Sequence, residues 1–326
     1  MQHILLLGAG FSRNWGGWLA SEVFEYLLGC PEIISNVHLR RALWKTKDEG
    51  GFEQALSLVQ ADRSLGESER EQAIHGFEAA LTRMFDDMNA ALLEVDDLEF
   101  PTAQRNTVIG LLTRFDAIFT LNQDLLLEHR YMDQAASYGR RGTQLPGLKG
   151  LPAVDGRIAD SWVKGIWTDA GQTQVDKNLQ PIFKLHGSTN WRTTAGGHML
   201  VLGAAKTQVI QNSRLLRSYA DIFDASLCQS DTRLMVIGYG FGDAHINESL
   251  ARGAQRGMQM FVIDPKGSDL ARSLNRTRSR GQIIAGTAEE ALFEQCLIGA
   301  SRRTLREIFG ADVVEQNKLE RFFGAR

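Results

Sequence analysis

The stretch FKLHGSTNW, residues 183 to 191, ends an apolar run on a histidine and then on glycine and serine. An imidazole takes up a proton near neutral pH, which makes His186 a candidate general base. A histidine in such a place also serves as a satisfied structural residue, and its company decides between the two roles. A second stretch, TLNQD at 120 to 124, places Asn122 and Asp124 two residues apart at the mouth of an apolar run. If strand geometry continues, both side chains point the same way. An amide and a carboxylate aimed together hold a ribose hydroxyl and a water. The competing reading is an Asx turn in which Asn122 caps the helical QDLLLEH.

Two glycine-rich stretches complete the set. GAGFS, residues 8 to 12, follows the apolar ILLL, and VIGYGFGD leads into residues 238 to 243. Glycines let backbone N–H groups approach a pyrophosphate, and a following helix offers its N-terminus to the charge. Neither stretch is a full GxGxxG, and no GK[ST] follows, so each alone is a tight turn as readily as a cradle. One at each end of the chain suggests a long ligand such as a dinucleotide. Asp264 in FVIDP could accept from an adenosine ribose hydroxyl, or could simply be a turn aspartate before proline. Asp243 reads as an N-cap, His245 as a residue of the following helical turn, and Asn247 as facing either ligand or solvent. Ser188 is not in a GxSxG elbow, so serine hydrolysis is unsupported.

These residues must be positioned by the elements that precede them. HILLLG, DAIFTLN, QPIFKLHGS, TRLMVIG and MQMFVIDP read as buried strands, and amphipathic segments alternate with them. That alternation predicts an α/β fold with a Rossmann-like, doubly wound parallel sheet, whose ligands bind outside the carboxyl ends of the strands. A single domain over 1–326 is expected. It carries a helical insertion at about 31–105, where apolar residues recur at threes and fours, an irregular small subdomain at about 136–180 on one edge of the sheet, and C-terminal helices at about 285–326.

With 326 residues the chain can bury a large core without staples. Cys30, Cys228 and Cys296 are isolated, which forms neither a disulfide framework nor a zinc module and suits a reducing compartment. A net charge of -3 argues against direct nucleic-acid binding. ILLLGAG is too short to cross a bilayer and lacks signal-peptide features, so a cytoplasmic protein without membrane contact is expected.

The order GAGFS, TLNQD, KLHGS, VIGYGFGD resembles the sirtuin-like superfamily, specifically the diverged branch of bacterial antiphage defence proteins. The resemblance runs from residue 8 to about residue 265. It implies that Gly8, Ala9, Gly10, Phe11 and Ser12 wrap the NAD phosphates, with Thr120, Gly187 and Ser188 nearby and Gly238, Tyr239 and Asp264 toward the adenosine. It implies that Asn122, Asp124 and His186 carry the chemistry. The chain departs from protein deacylases of the family: RNWGGWLA stands where they carry a GIPDFR-like segment, and there is no four-cysteine zinc module. The expectation is an NAD+ hydrolase with NAD+ as substrate and no metal, releasing nicotinamide and ADP-ribose. The alternatives are a deacylase or ADP-ribosyltransferase, and a non-catalytic NAD- or ADP-ribose-binding subunit. The branch further implies a homo-oligomer and an effector role. Since little chain remains for a sensor domain, a partner encoded nearby would supply the trigger, either an ATPase or translocase or an Argonaute-like sensor.

Overall fold

A computed structural model of the chain describes residues 1–47, 51–100, 107–134, 141–153, 156–203, 206–273, 287–310 and 312–324. The expected boundaries near 105, 136 and 285 lie outside the described residues.

The apolar runs form the sheet. Strands β1 (Gln2–Leu7), β2 (Ala117–Thr120), β3 (Thr143–Gln144), β6 (Gln180–Lys184), β9 (Thr232–Ile237), β10 (Gln259–Ile263) and β11 (Leu297–Ser301) lie in the order β11-β10-β9-β1-β2-β6-β3. Every pairing among them is parallel. Ile4 to Leu7 of β1, all of β2 and the last four residues of β10 are buried, as a sheet covered on both faces by helices requires. This is the doubly wound α/β architecture that the alternation of strands and helices predicts. From β1 the chain moves outward through β2 and β6, then returns to the other flank of β1 as β9. Strand order therefore reverses between β1 and β9, and that is where an open sheet leaves a crevice.

Two departures from the sequence reading have physical causes. The segment AEEALFEQCLIGASRRTLREIFG reads as helical throughout, yet β11 interrupts it. Gly299 is the reason the strand fits: a Cβ there would stand 2.6 Å from the Phe261 ring on β10. Secondly, β4 (Leu148–Leu151), β5 (Ile166–Asp169), β7 (Gly187–Arg192) and β8 (His198–Leu200) build a separate four-stranded sheet in the order β4-β5-β7-β8. Among the described residues of the irregular region before β6, only β3 joins the main sheet's edge.

Between β1 and β2 the chain forms helices Ala20–Leu28, Pro31–Ile34, Val37–Thr46, Gly51–Ala61 and Glu67–Leu93. The last buries Ala73, Phe77, Ala80, Leu81, Met84, Met88 and Leu92, spacings of three and four that make one apolar stripe. Its Asn89 accepts from the Leu125 N–H (3.0 Å) and donates to Thr189 Oγ1 (3.0 Å), so the helix is fastened to the loop after β2 and to β7. Among the described residues no helix is long and apolar enough to cross a membrane.

Candidate active site

The ends of β1 and β9 touch. Gly8 donates to the Ile237 carbonyl (3.0 Å) and Gly10 to the Gly238 carbonyl (2.9 Å). A Cβ on Gly8 would lie 2.5 Å from Gly238 O, and one on Gly238, which has φ +65, would lie 2.4 Å from the Gly10 carbonyl carbon. These glycines let two backbones meet at the switch point. Gly10 spends its N–H on that contact rather than on a ligand.

Above this junction lies a cavity of about 560 Å³. Gly8 and Ala9 line it from β1, Asn122 and Asp124 from β2, His186 from β6, and Gly238, Tyr239 and Asp243 from β9. Met84, Phe85 and Met88 supply an apolar wall from the long helix. Of the residues singled out in the sequence, Asn122, Asp124, His186, Gly8, Ala9, Gly238 and Tyr239 therefore share one space.

Asp243 lines it as well, while Gly10, Phe11, Ser12, Thr120, Gly187, Ser188 and Asp264 do not. Gly10 and Phe11 pack beneath, and Ser12 is buried. Thr120 is also buried, and its Oγ1 accepts from the Asn122 N–H (3.0 Å), shaping the loop. Gly187 has φ +76 and a Cβ there would fall 2.0 Å from Met199 O, so its role is the junction of β7 with β8. Ser188 accepts from Lys184, and Asp264 accepts from the Lys266 N–H (2.9 Å) in the turn geometry that was the rival reading.

Asn122 and Asp124 are joined by Ser12. Asn122 Nδ2 donates to Ser12 Oγ (3.0 Å), which donates to Asp124 Oδ2 (2.8 Å), while Asp124 Oδ1 accepts from the Leu126 N–H (3.1 Å). Asp124 thus spends both oxygens on structure, and Asn122 keeps Oδ1 for a ligand. Three further residues brace this loop. Gln123 Nε2 donates to the main-chain carbonyls of His186 (3.1 Å) and Val201 (2.9 Å). Lys184 Nζ donates to the Asp124 carbonyl (2.6 Å), Glu128 Oε1 (2.6 Å) and Ser188 Oγ (2.8 Å). Glu128 belongs to a π-helical turn, Glu128–Met132, and burial pushes its carboxyl up while Lys184 opposes that shift.

Burial drives the His186 imidazole down to about 3, so it is neutral across the physiological range. The group that pulls it back up is Asp243, while Lys206 and His245 add to the lowering. Asp243 stands at the N-cap of helix Ala244–Gln255, as its sequence position predicts. It makes no side-chain capping bond, and pairs instead with Lys206 Nζ at 2.5 Å. Lys206 also meets Glu53 at 2.7 Å. Burial alone would lower this ammonium, but Asp243 and Glu53 outweigh it and raise it. His245 Nε2 lies 3.2 Å from His186 Nε2. Asn247, by contrast, is structural: it accepts from Tyr239 OH (2.9 Å) and donates to the Phe241 carbonyl (2.8 Å), fixing the GYGFGD loop. The DAH spacing is the one signal that could have pointed to Asp243 and His245 together.

A parallel sheet whose two glycine exits meet under an amide, a carboxylate and an imidazole defines a Rossmann-like nucleotide-binding protein. The SIR2-like domain model matches residues 116–282, more than half of the chain, and the chain belongs to that family as a SIR2-like, NAD-binding domain. Solved structures similar to it include one from work on the mechanism and regulation of Sir2 enzymes, at 14% identity over 98% of this chain and 93% of that one, TM-score 0.37. Sir2Tm bound to a propionylated peptide matches at 10% identity over 98% and 94%, TM-score 0.39. A histidine-to-asparagine variant of a Sir2 homologue in complex with ADP ribose matches at 12% identity over 100% and 94%, TM-score 0.40. No curated protein matches the chain.

Proposed function

We propose that the chain is an NAD+ glycohydrolase. The observation that carries this reading is the convergence of Asn122, Asp124 and a neutral His186 on one cavity at the switch point of the sheet, with Ser12 linking the first two from beneath. The C1′–N bond to nicotinamide breaks with its electron pair leaving on the ring nitrogen, so neutral nicotinamide departs from an oxocarbenium-like ribosyl centre. Water adds to C1′ and gives its proton to His186, whose imidazolium the Asp243 carboxylate stabilises. Asn122 Oδ1 orients the ribose and the water. Asp124 acts through Ser12 to hold Asn122 rather than touching the reacting carbon. The apolar Met84, Phe85 and Met88 wall keeps bulk water from the cation.

On this reading, NAD+ enters with its pyrophosphate at Gly8 and Ala9 and its adenosine toward Gly238 and Tyr239. The resemblance of the motif set supports a role as the NAD-depleting effector of an antiphage system. It also supports cytoplasmic action, self-assembly and a separately encoded sensor partner. Purified protein, alone and with its genomic neighbour, should convert NAD+ to nicotinamide and ADP-ribose on chromatography. His186→Ala and Asn122→Ala should lower turnover by about 10²–10⁴-fold while remaining folded. Wild-type turnover in both variants would sink the assignment. Transfer to an acylated peptide in place of water would redirect it to deacylation.

A further inference from the structure

His186, Asp243 and His245 each offer a ligand atom, and these atoms all lie within 4.8 Å of one another. The two imidazoles face each other Nε2 to Nε2 at 3.2 Å, with their rings inclined by 37°. Two nitrogens bound to one tetrahedral zinc at ~2.0–2.1 Å stand ~3.3 Å apart, so the pair already has the bite of a metal site. The third donor is uncommitted to its local task, because Asp243 sits at a helix N-cap without capping. Its Oδ1 is occupied by Lys206, which leaves Oδ2 for an ion. The charge is suitable: Glu53 and Asp243 against Lys206 leave one unmatched negative charge beside two imidazoles. His186 and Asp243 also line the main cavity, where a fourth position is open to water or substrate.

We infer that His186, Asp243 and His245 form a site for a divalent transition ion of the zinc type, bound at the edge of the NAD cavity. Two imidazoles and one carboxylate favour zinc, cobalt or nickel over magnesium or calcium, which seek all-oxygen shells. The consequence for activity rests on the glycohydrolase reading. An ion on His186 Nε2 holds the lone pair that would take the proton from water, so the metal is an inhibitor that chelation removes.

The test uses the full chain, stripped with EDTA and titrated with cobalt(II) chloride. One equivalent should bind with the intense visible bands of a tetrahedral nitrogen and oxygen site. His245→Ala should abolish the bands, and Asp243→Asn should weaken binding at least tenfold. His245→Gln serves as the second variant if the alanine protein does not fold, with a circular dichroism melt as the check. Zinc should inhibit nicotinamide release by the wild type, and the activity of His245→Ala should no longer respond to zinc. No cobalt bands in the wild type, or bands undiminished in both His245 variants, would overturn the metal site in favour of a plain imidazole–imidazole hydrogen bond. A wild-type protein that binds cobalt but releases no nicotinamide from NAD+ would overturn the glycohydrolase reading and leave the metal site standing.

Discussion

Two lysines stand near His186, and they are built differently. Lys184 and Glu128 have side chains only 2% exposed, and Lys184 reaches three oxygens at once. Lys206 is 15% exposed and its partners Asp243 and Glu53 are 17% and 31% exposed, with all three lining the cavity. The first pair ties the Asn122–Asp124 loop to β6 and β7. The second reaches from helix Gly51–Ala61 to the β9 exit across the space a ligand would enter. A charge pair sealed from water is a structural clamp whose halves cannot be separated cheaply. A pair at a cavity wall is a movable charge whose effect falls on its neighbours' chemistry.

Breaking the clamp should give the largest effect. Lys184→Met leaves Glu128 buried without its counter-charge, and removal of one partner from such a pair costs about 3–5 kcal/mol. Urea denaturation followed by circular dichroism measures it, and a loss below about 1 kcal/mol would erase the distinction between the two lysines. Adding Glu128→Leu to Lys184→Met should recover part of the loss, because the uncompensated carboxylate is then gone.

Next comes the glycine junction on the same rigid side. Gly238→Ala puts a Cβ at 2.4 Å from Gly10 and demands φ +65 of a residue with a side chain. The left-handed backbone costs about 1–2 kcal/mol and the clash about 1–3 kcal/mol more. The melting temperature should fall accordingly. A neutral substitution would show that the β1 and β9 exits are free to part.

The junction also marks how far the sequence could be read. The apolar runs ILLL, AIFT, MVI and FVI announce buried parallel strands because they are short, rich in branched residues and alternate with amphipathic segments. The glycines after them announce the turns, and His186, Asn122 and Asp124 are visible as polar residues at those exits. What could not be read are contacts between distant residues. Lys184 looks like any solvated lysine until the fold brings Glu128 to it from 56 residues away, and His245 meets His186 from 59 residues away. That Gly8 and Gly238 pack their backbones against each other, besides facing the cavity, could not be read either, because it depends on the sheet order that places β9 beside β1.

His186, which feels Lys206, gives the comparison a pH axis in metal-free protein. Its folded value is about 3 against an ordinary 6.5. The unfolded chain therefore takes up a proton below pH 6.5 that the native state refuses, and stability declines as pH falls. At pH 5 the loss should be about 2 kcal/mol, at about 1.4 kcal/mol for each unit of pH. His186→Gln should lack this part of the acid sensitivity. Identical slopes for the two proteins between pH 6.5 and 5 would show that the imidazole is protonated in the fold.

The smallest effect on stability is expected at Lys206. Its bonds to Asp243 and Glu53 are partly open to water, so Lys206→Met should cost about 1 kcal/mol or less, and less again in high salt. Its signature should lie in His186 instead. Lys206 is one of the charges that lower the imidazole, so removing it must raise the His186 value, whereas Asp243→Asn must lower it further. Proton NMR titration of His186 in the metal-free variants reads both shifts. Opposite movements with near-wild-type stability would establish Lys206 as a charge that tunes the cavity. A stability loss as large as that of Lys184→Met, with His186 unmoved, would make it a second clamp and end the contrast.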